Sequence, residues 1–275
     1  MKLPSSTAAT FALAAASGVL AADFSFNQHE PVGKPLVSSF FGVPTNATYD
    51  YVVVGAGTAG LAFASRLSGA GLSVAVVEAG GFYEVDNSNL SVVPGYTTFY
   101  TGTDPSNYQP LIDWGINTTP QPGSADRILH YARGKTMGGS SARNYFLYHR
   151  PTVGSHQQWA DEAGDDSYLW ENMLPYYKQS VNATPPNNAL ATNTTFLYDE
   201  EAFTPAGGPL QVYFGNAVDP FGTWARQAFQ KAGMTALDGI SSGNLLGSAY
   251  SPLTVDPIAA QRQSSESSFL REALN

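Results

Sequence analysis

The chain has 275 residues, 43% of them hydrophobic and 13% charged, with a net charge of -9. That length and apolar content suit one large or two small globular domains with a sizeable core. The acidic balance argues against nucleic acid and anionic membrane surfaces as partners, and the absence of cysteine excludes disulfides, thiolate metal sites and a cysteine nucleophile.

Residues 1–22 read as a secretory signal peptide. Lys2 supplies the positive start, residues 7–20 form a small, mostly apolar run, and Val19-x-Ala21 or Leu20-x-Ala22 offers a cleavage site. The run is too short and alanine-rich to span a membrane, and no other segment is long and apolar enough. Sequons at Asn46, Asn89, Asn117, Asn182 and Asn193 agree with a secreted glycoprotein. Residues 23–48 are a proline- and glycine-punctuated lead-in, expected to lie extended on the domain surface.

Residues 49–81, YDYVVVGAGTAGLAFASRLSGAGLSVAVVEAGG, carry the strongest local signal. Residues 51–54 are a β-branched run with the composition of a buried parallel strand. Gly55, Gly57 and Gly60 follow in GxGxxG spacing. The first suits a tight turn, the second a close approach to a pyrophosphate, the third close helix–strand packing. A helix over 58–67 aims its N–H groups and positive dipole end at that anion. Gly69 and Gly71 end it, residues 72–77 form a second buried strand, and Glu78 closes the unit where an acid hydrogen-bonds a ribose hydroxyl. That acid favours FAD or NAD over NADP. Glycine fingerprints alone are weak; this one has strand, helix, strand and acid in order.

Residues 80–102 read as loop, and 104–122 as an ordered, aromatic and proline-rich loop. In 127–151, RILHYARGKTMGGSSARNYFLYHRP, Gly134, Gly138, Gly139, Ser140 and Ser141 form a small-residue turn. Such a turn presents N–H groups and hydroxyls to a phosphate or a flat ring. Residues 142–148 run off it as a short helix or extended segment. Beyond, 171–180 is helical, with Met173, Leu174 and Tyr177 on one face. The aromatics of 151–205 read as core packing ahead of substrate contact. Residues 184–195 read as an exposed loop, 207–213 as a strand and 221–232 as an amphipathic helix. Residues 243–250 are glycine-punctuated, and 264–275 start a serine-capped helix with Phe269, Leu270 and Leu274 as its apolar face.

In order, YDYVVVGAGTAGLAFASRL, VVEAGG, IDWGINTTPQP, RGKTMGGSSARN, WENMLPYYKQS, GGPLQV, SGNLLGSAYSPLTVD and SSESSFL resemble the N-terminal half of the glucose–methanol–choline (GMC) flavoprotein oxidoreductases, over residues 49–275. The resemblance implies an α/β fold, with an incomplete Rossmann-like FAD-binding domain over 49–150. The start of a substrate or cap region would follow over 151–205, and further FAD- and substrate-domain elements over 206–275. It implies that Thr58 and Ala59 join the three glycines on the pyrophosphate, and that Glu78 and Ala79 meet the adenosine ribose. Trp114 would lie near the cofactor, while Gly138, Gly139, Ser140, Ser141, Asn144, Tyr145, Phe146 and Leu147 wrap the flavin and ribityl chain. Arg143 stands where some members carry a histidine bonded covalently to the flavin, and departs from the aliphatic residue common there, so non-covalent FAD is expected.

The family oxidises alcohols to aldehydes by hydride transfer to flavin while a base takes the hydroxyl proton. An aryl or primary alcohol, or a secondary metabolite, is the implied substrate. By the resemblance the base, its partner and the returning strands lie beyond these 275 residues. His29, His130, His149 and His156 occupy no family position for the base, so they read as surface or structural and no catalytic residue is assigned. The expectation is weak or absent FAD retention, an exposed sheet edge with uncovered apolar faces, and no turnover by these residues alone. A non-redox cyclase or lyase on the same fold is one alternative. Another is a non-catalytic truncated fragment, or a partner of a separately encoded C-terminal half. An NAD dehydrogenase is disfavoured by RGKTMGGSSARN.

Overall fold

The computed structural model describes residues 48–204 and 207–275. The leader, residues 23–47 of the lead-in and the sequon at Asn46 lie outside the described residues. Strand β1 (Tyr51–Val54), helix α1 (Thr58–Gly69) and strand β2 (Val74–Val77) build a parallel β–α–β unit. Tyr51 stands opposite Val74, and Val54 opposite Val77. Leu61 and Ala64 bury the inner stripe of α1. Gly71, at φ 84°, turns the chain back after the helix, as only glycine does at little cost.

This sheet is poorly covered, as expected without its returning strands, although β1 and β2 have the composition of buried strands. Tyr51, Val52, Val54 and Val77 are 46, 60, 85 and 55% exposed. Among the described residues the sheet has two strands, so each keeps an open edge. A parallel strand is buried only where neighbours and helices cover it on both faces. β2 also starts later than its apolar run, because Asp50 captures Ser73, which donates to that carboxylate from N–H (2.8 Å) and hydroxyl (2.6 Å).

Residues 80–102 are not a plain loop. They hold two single-turn helices, Tyr83–Asp86 and Asn89–Val92, and a 3-10 turn, Pro94–Tyr96. The cause is tertiary, since Tyr83 is buried against Ile112 and Ala142. Residues 113–121 face 127–134 in an irregular antiparallel ribbon, with Asp113 opposite Gly134, Asn117 opposite His130 and Gln121 opposite Arg127.

The second half holds α2 (Val153–Ala163), α3 (Trp170–Ser180) and α4 (Pro220–Lys231). Thr152 Oγ1 caps α2 through the Ser155 N–H, and Asp219 caps α4 through Phe221 N–H. The aromatics of α2 and α3 pack around buried His156, with Trp159, Trp170 and Tyr177 edge-on to its ring. Strands β3 (Val181–Thr184) and β4 (Leu210–Tyr213) pair in parallel over a core of Val181, Ala202, Phe203 and Val212. The last segment starts on serine, as its sequence predicts. Ser264 Oγ accepts from the N–H groups of Glu266 and Ser267 at 3.1 and 3.2 Å. Its first turn is π-helical (Glu266–Leu270), and Arg271–Leu274 then continue as α-helix. Phe269 packs on Ala56 and Leu61, so the end of the chain supports the turn after β1.

Candidate functional site

Three segments meet at the C-terminal end of β1: the glycine turn, the stretch after β2, and the loop around Gly138. The three glycines of the turn answer to different causes. Gly55 has φ 97°, a backbone state that disfavours any side chain. A Cβ on Gly60 would lie 2.1 Å from the Gly55 carbonyl oxygen, so glycine there lets α1 sit tight on β1. Gly57 has an ordinary extended backbone, and a Cβ built on it meets nothing within 4 Å. Neither conformation nor packing requires glycine there. The space it leaves lies at the N-terminus of α1, which has no side-chain cap. The first N–H groups of a helix have no partner within it, so Thr58, Ala59 and Gly60 offer donors to an anion.

Glu78 closes the turn. Its Oε2 accepts the Ala56 N–H at 2.7 Å and its Oε1 the Gly80 N–H at 3.1 Å. Each carboxylate oxygen keeps a further lone pair for a hydroxyl. Ala79 beside it is exposed.

The loop after Thr136 sits on this turn. Gly138 donates its N–H to the Ala56 carbonyl at 2.8 Å, and a Cβ on Gly139 would come within 2.7 Å of Gly57 Cα. Gly138 and Gly139 have φ 90° and 53°, and residues Gly139–Ala142 form a 3-10 turn. Ser140 is exposed, whereas the Ser141 hydroxyl donates to the Gly138 carbonyl at 2.6 Å and accepts the Ser265 N–H at 3.0 Å. Residues 144–147 are neither helix nor strand; their side chains alternate. Tyr145 and Leu147 are exposed, while Phe146, at φ 67°, is buried. Trp114 is exposed on the ribbon, with Lys135 Nζ 5.5 Å from its ring centre.

Two buried arginines hold this arm: Arg262, which the sequence left without a role, and Arg143, which the resemblance set beside the flavin. Arg262 donates from Nη1 to the backbone and side-chain oxygens of Asn144 at 3.0 and 2.8 Å, and from Nε to the Ser91 carbonyl at 2.7 Å. Its guanidinium lies 4.0 Å from the Phe146 ring centre, and burial pulls its pKa down to about 10. Arg143 turns away into an ion pair with Asp113. Burial lowers its pKa too, opposed by the Asp113 charge. No local pattern marks such pairs; a basic residue inside a glycine–serine turn is the one available signal.

Other groups fall outside the site. His156 Nδ1 meets the Tyr168 carbonyl at 2.8 Å and Nε2 the Tyr177 hydroxyl at 3.1 Å, a structural histidine. His130 is buried on the ribbon. Asn89 and Asn117 are exposed, Asn193 donates to the Val218 carbonyl at 2.6 Å, and Asn182 is half-buried within β3. A cavity of about 680 Å³ lined by Arg66, Trp170, Leu174 and Lys178 touches none of the candidate residues, since it lies at the far end of α1. Among the described residues no cluster could hold a metal, and no helix is long and apolar enough to cross a membrane.

A β–α–β unit with a glycine turn, a terminal acid and a second small-residue loop seated on the turn defines a dinucleotide-binding protein of the Rossmann-like class. Residues 49–275 match the GMC oxidoreductase family, and the chain belongs to it. It is 49% identical over 241 residues to patulin synthase of Penicillium expansum, covering 87% of this chain and 38% of that protein. To versicolorin B synthase of Aspergillus parasiticus it is 47% identical over 243 residues, with coverage of 87% and 38%. It also resembles the solved structure of an FAD-dependent oxidoreductase from Chaetomium thermophilum (TM-score 0.70, 25% identity, 81% of this chain and 36% of that one). The chain thus spans about two fifths of the length of the curated relatives it matches. The fold is that of the GMC N-terminal FAD-binding domain, and family membership implies FAD.

Proposed function

We propose that these residues supply the nucleotide and flavin arms of a non-covalent FAD site. The site would serve oxidation of a primary or aryl alcohol, or of a secondary metabolite, to the aldehyde. The observation that carries this reading is Gly57, a glycine with no conformational or packing cause, facing open space at an uncapped helix start. Bound FAD would supply the hydride acceptor. The chain's residues do the holding. The N–H groups of Thr58 and Ala59 take the pyrophosphate, the free lone pairs of Glu78 a ribose hydroxyl, and Ser140, Tyr145 and Leu147 the flavin side. Arg143 replaces a tethering histidine. No proton acceptor is assigned: both ring nitrogens of buried His156 are engaged, His130 is buried on the ribbon, and exposed His149 stands at no family position for the base. We therefore propose binding without turnover by these residues alone, with a separately encoded C-terminal half as the complement.

Fluorescence titration of the purified chain with FAD tests the reading. The wild type should quench the flavin, and Gly57→Ala, whose Cβ has no neighbour within 4 Å, should lower affinity at least about tenfold at unchanged thermal stability. Equal binding by both overturns it. Two relatives named synthases support a second reading, a non-redox cyclase or lyase of secondary metabolism on the same fold. Product formation without oxygen uptake or dye reduction would select it. The leader and exposed Asn89 and Asn117 support a secreted glycoprotein, checked by a mass shift on glycosidase treatment.

A further inference from the structure

The resemblance sets Arg143 beside the flavin, yet its side chain is 4% exposed. A group lining a cofactor cleft would be open to solvent along that cleft. Arg143 Nη1 instead donates to Asp113 Oδ2, and Nη2 to the Tyr100 carbonyl. Asp113 has no exposed side-chain surface. Its Oδ1 accepts the Gly115 N–H at 2.7 Å, and His130 Nε2 lies 3.2 Å from Oδ2, without the alignment of a hydrogen bond. His130 Nδ1 lies 3.0 Å from the Gly102 carbonyl.

This pair joins two parts of the site. Asp113 belongs to the ribbon and precedes Trp114; Arg143 precedes Asn144 to Leu147. The arm also carries Phe146 at φ 67°, a strained state for a bulky residue that persists only where the surroundings over-determine it. Arg262 holds Asn144 from below, and Phe146 O accepts the Thr254 N–H at 2.8 Å. The Arg143 anchor is the one that reaches the ribbon of Trp114.

We infer that Arg143 is a positioning residue: through Asp113 it clamps the ribbon to the arm and sets where Tyr145 and Leu147 meet the flavin. The inference rests on the FAD reading above. In both Arg143→Leu and Asp113→Asn one charge stays buried without its partner, a costly state. Each should weaken FAD binding about tenfold and speed amide exchange at residues 144–147 of the unliganded chain. The double variant should bind no worse than the weaker single, since both act through one contact. Arg143→Lys, which keeps the charge, should recover part of the affinity and of the visible circular dichroism of bound flavin. If Asp113→Asn binds FAD within about twofold of wild type while Arg143→Leu does not, Arg143 is a direct ligand and the inference falls. If wild type takes up no FAD, the FAD reading fails by itself. Exchange then decides alone: rates at 144–147 unchanged in Arg143→Leu overturn the clamp, and faster rates sustain it. Should Arg143→Leu not fold, Arg143→Lys and Asp113→Asn carry the same comparison.

Discussion

At the scale of single residues, the approach of Gly139 to Gly57 leaves no room for a side chain on Gly139. Gly139→Ala would both force φ 53° on alanine and place its Cβ 2.7 Å from Gly57 Cα. A loss of about 2–3 kcal/mol in denaturant unfolding is expected. Glu266 makes a pH prediction. It is fully buried, and burial first, then the Glu84 charge, raise its carboxyl from 4.5 to about 8, opposed by Arg271. Arg271 donates to Glu84 at 3.0 Å and to Glu266 at 3.3 Å, while Glu84 Oε2 is buried without a partner. A proton on Glu266 would satisfy that oxygen. Because the folded value exceeds the unfolded one, the stabilisation is complete below about 4.5 and is lost as pH rises to about 8. Melting temperature should therefore decline across that window, and Glu266→Gln should flatten the decline; a Gln variant with an unaltered slope would refute the assignment.

At the scale of elements, the β–α–β unit was legible because its signals are local: a β-branched run, spaced glycines, a second run, an acid. The short helices at Tyr83–Asp86 and Asn89–Val92 were not, because four residues have no helical preference to read. They exist because Tyr83 is buried, a contact made with residues far along the chain. The exposure of β1 was not written in its own residues, which have the composition of a buried strand; it was expected only from the resemblance, which sets the returning strands beyond these residues. The resemblance gave Arg143 its place but not its direction, which depends on Asp113, thirty residues away. The candidate cofactor residues came from the glycine spacing and the resemblance; the arginines and serines beneath them came from the fold. The terminal turn shows how elements support one another. Phe269→Ala should cost about 3 kcal/mol in chemical denaturation, because it opens a hole under Ala56 and Leu61.

At the scale of the molecule, two of the open apolar stretches among the described residues bear on association. One is the sheet of Tyr51, Val52, Val54 and Val77; the other is α4, where Phe221 and Trp224 are 76 and 70% exposed. Exposed edges and patches of this kind invite association, which the net charge of -9 opposes. Light scattering should rise as salt screens that charge, and Val54→Lys, at an 85% exposed position, should delay the rise without altering the melt. The seat of Phe269 beneath the glycine turn has a consequence in time. Synthesis delivers the GxGxxG segment well before its support at Phe269 and before the second partner of the Tyr83–Ser264 contact, 181 residues apart. Such distant closures are slow to form. A nascent chain that has not yet reached Phe269 would carry the whole nucleotide fingerprint without the packing beneath it, so a firm groove waits on the synthesis of residues 264–270.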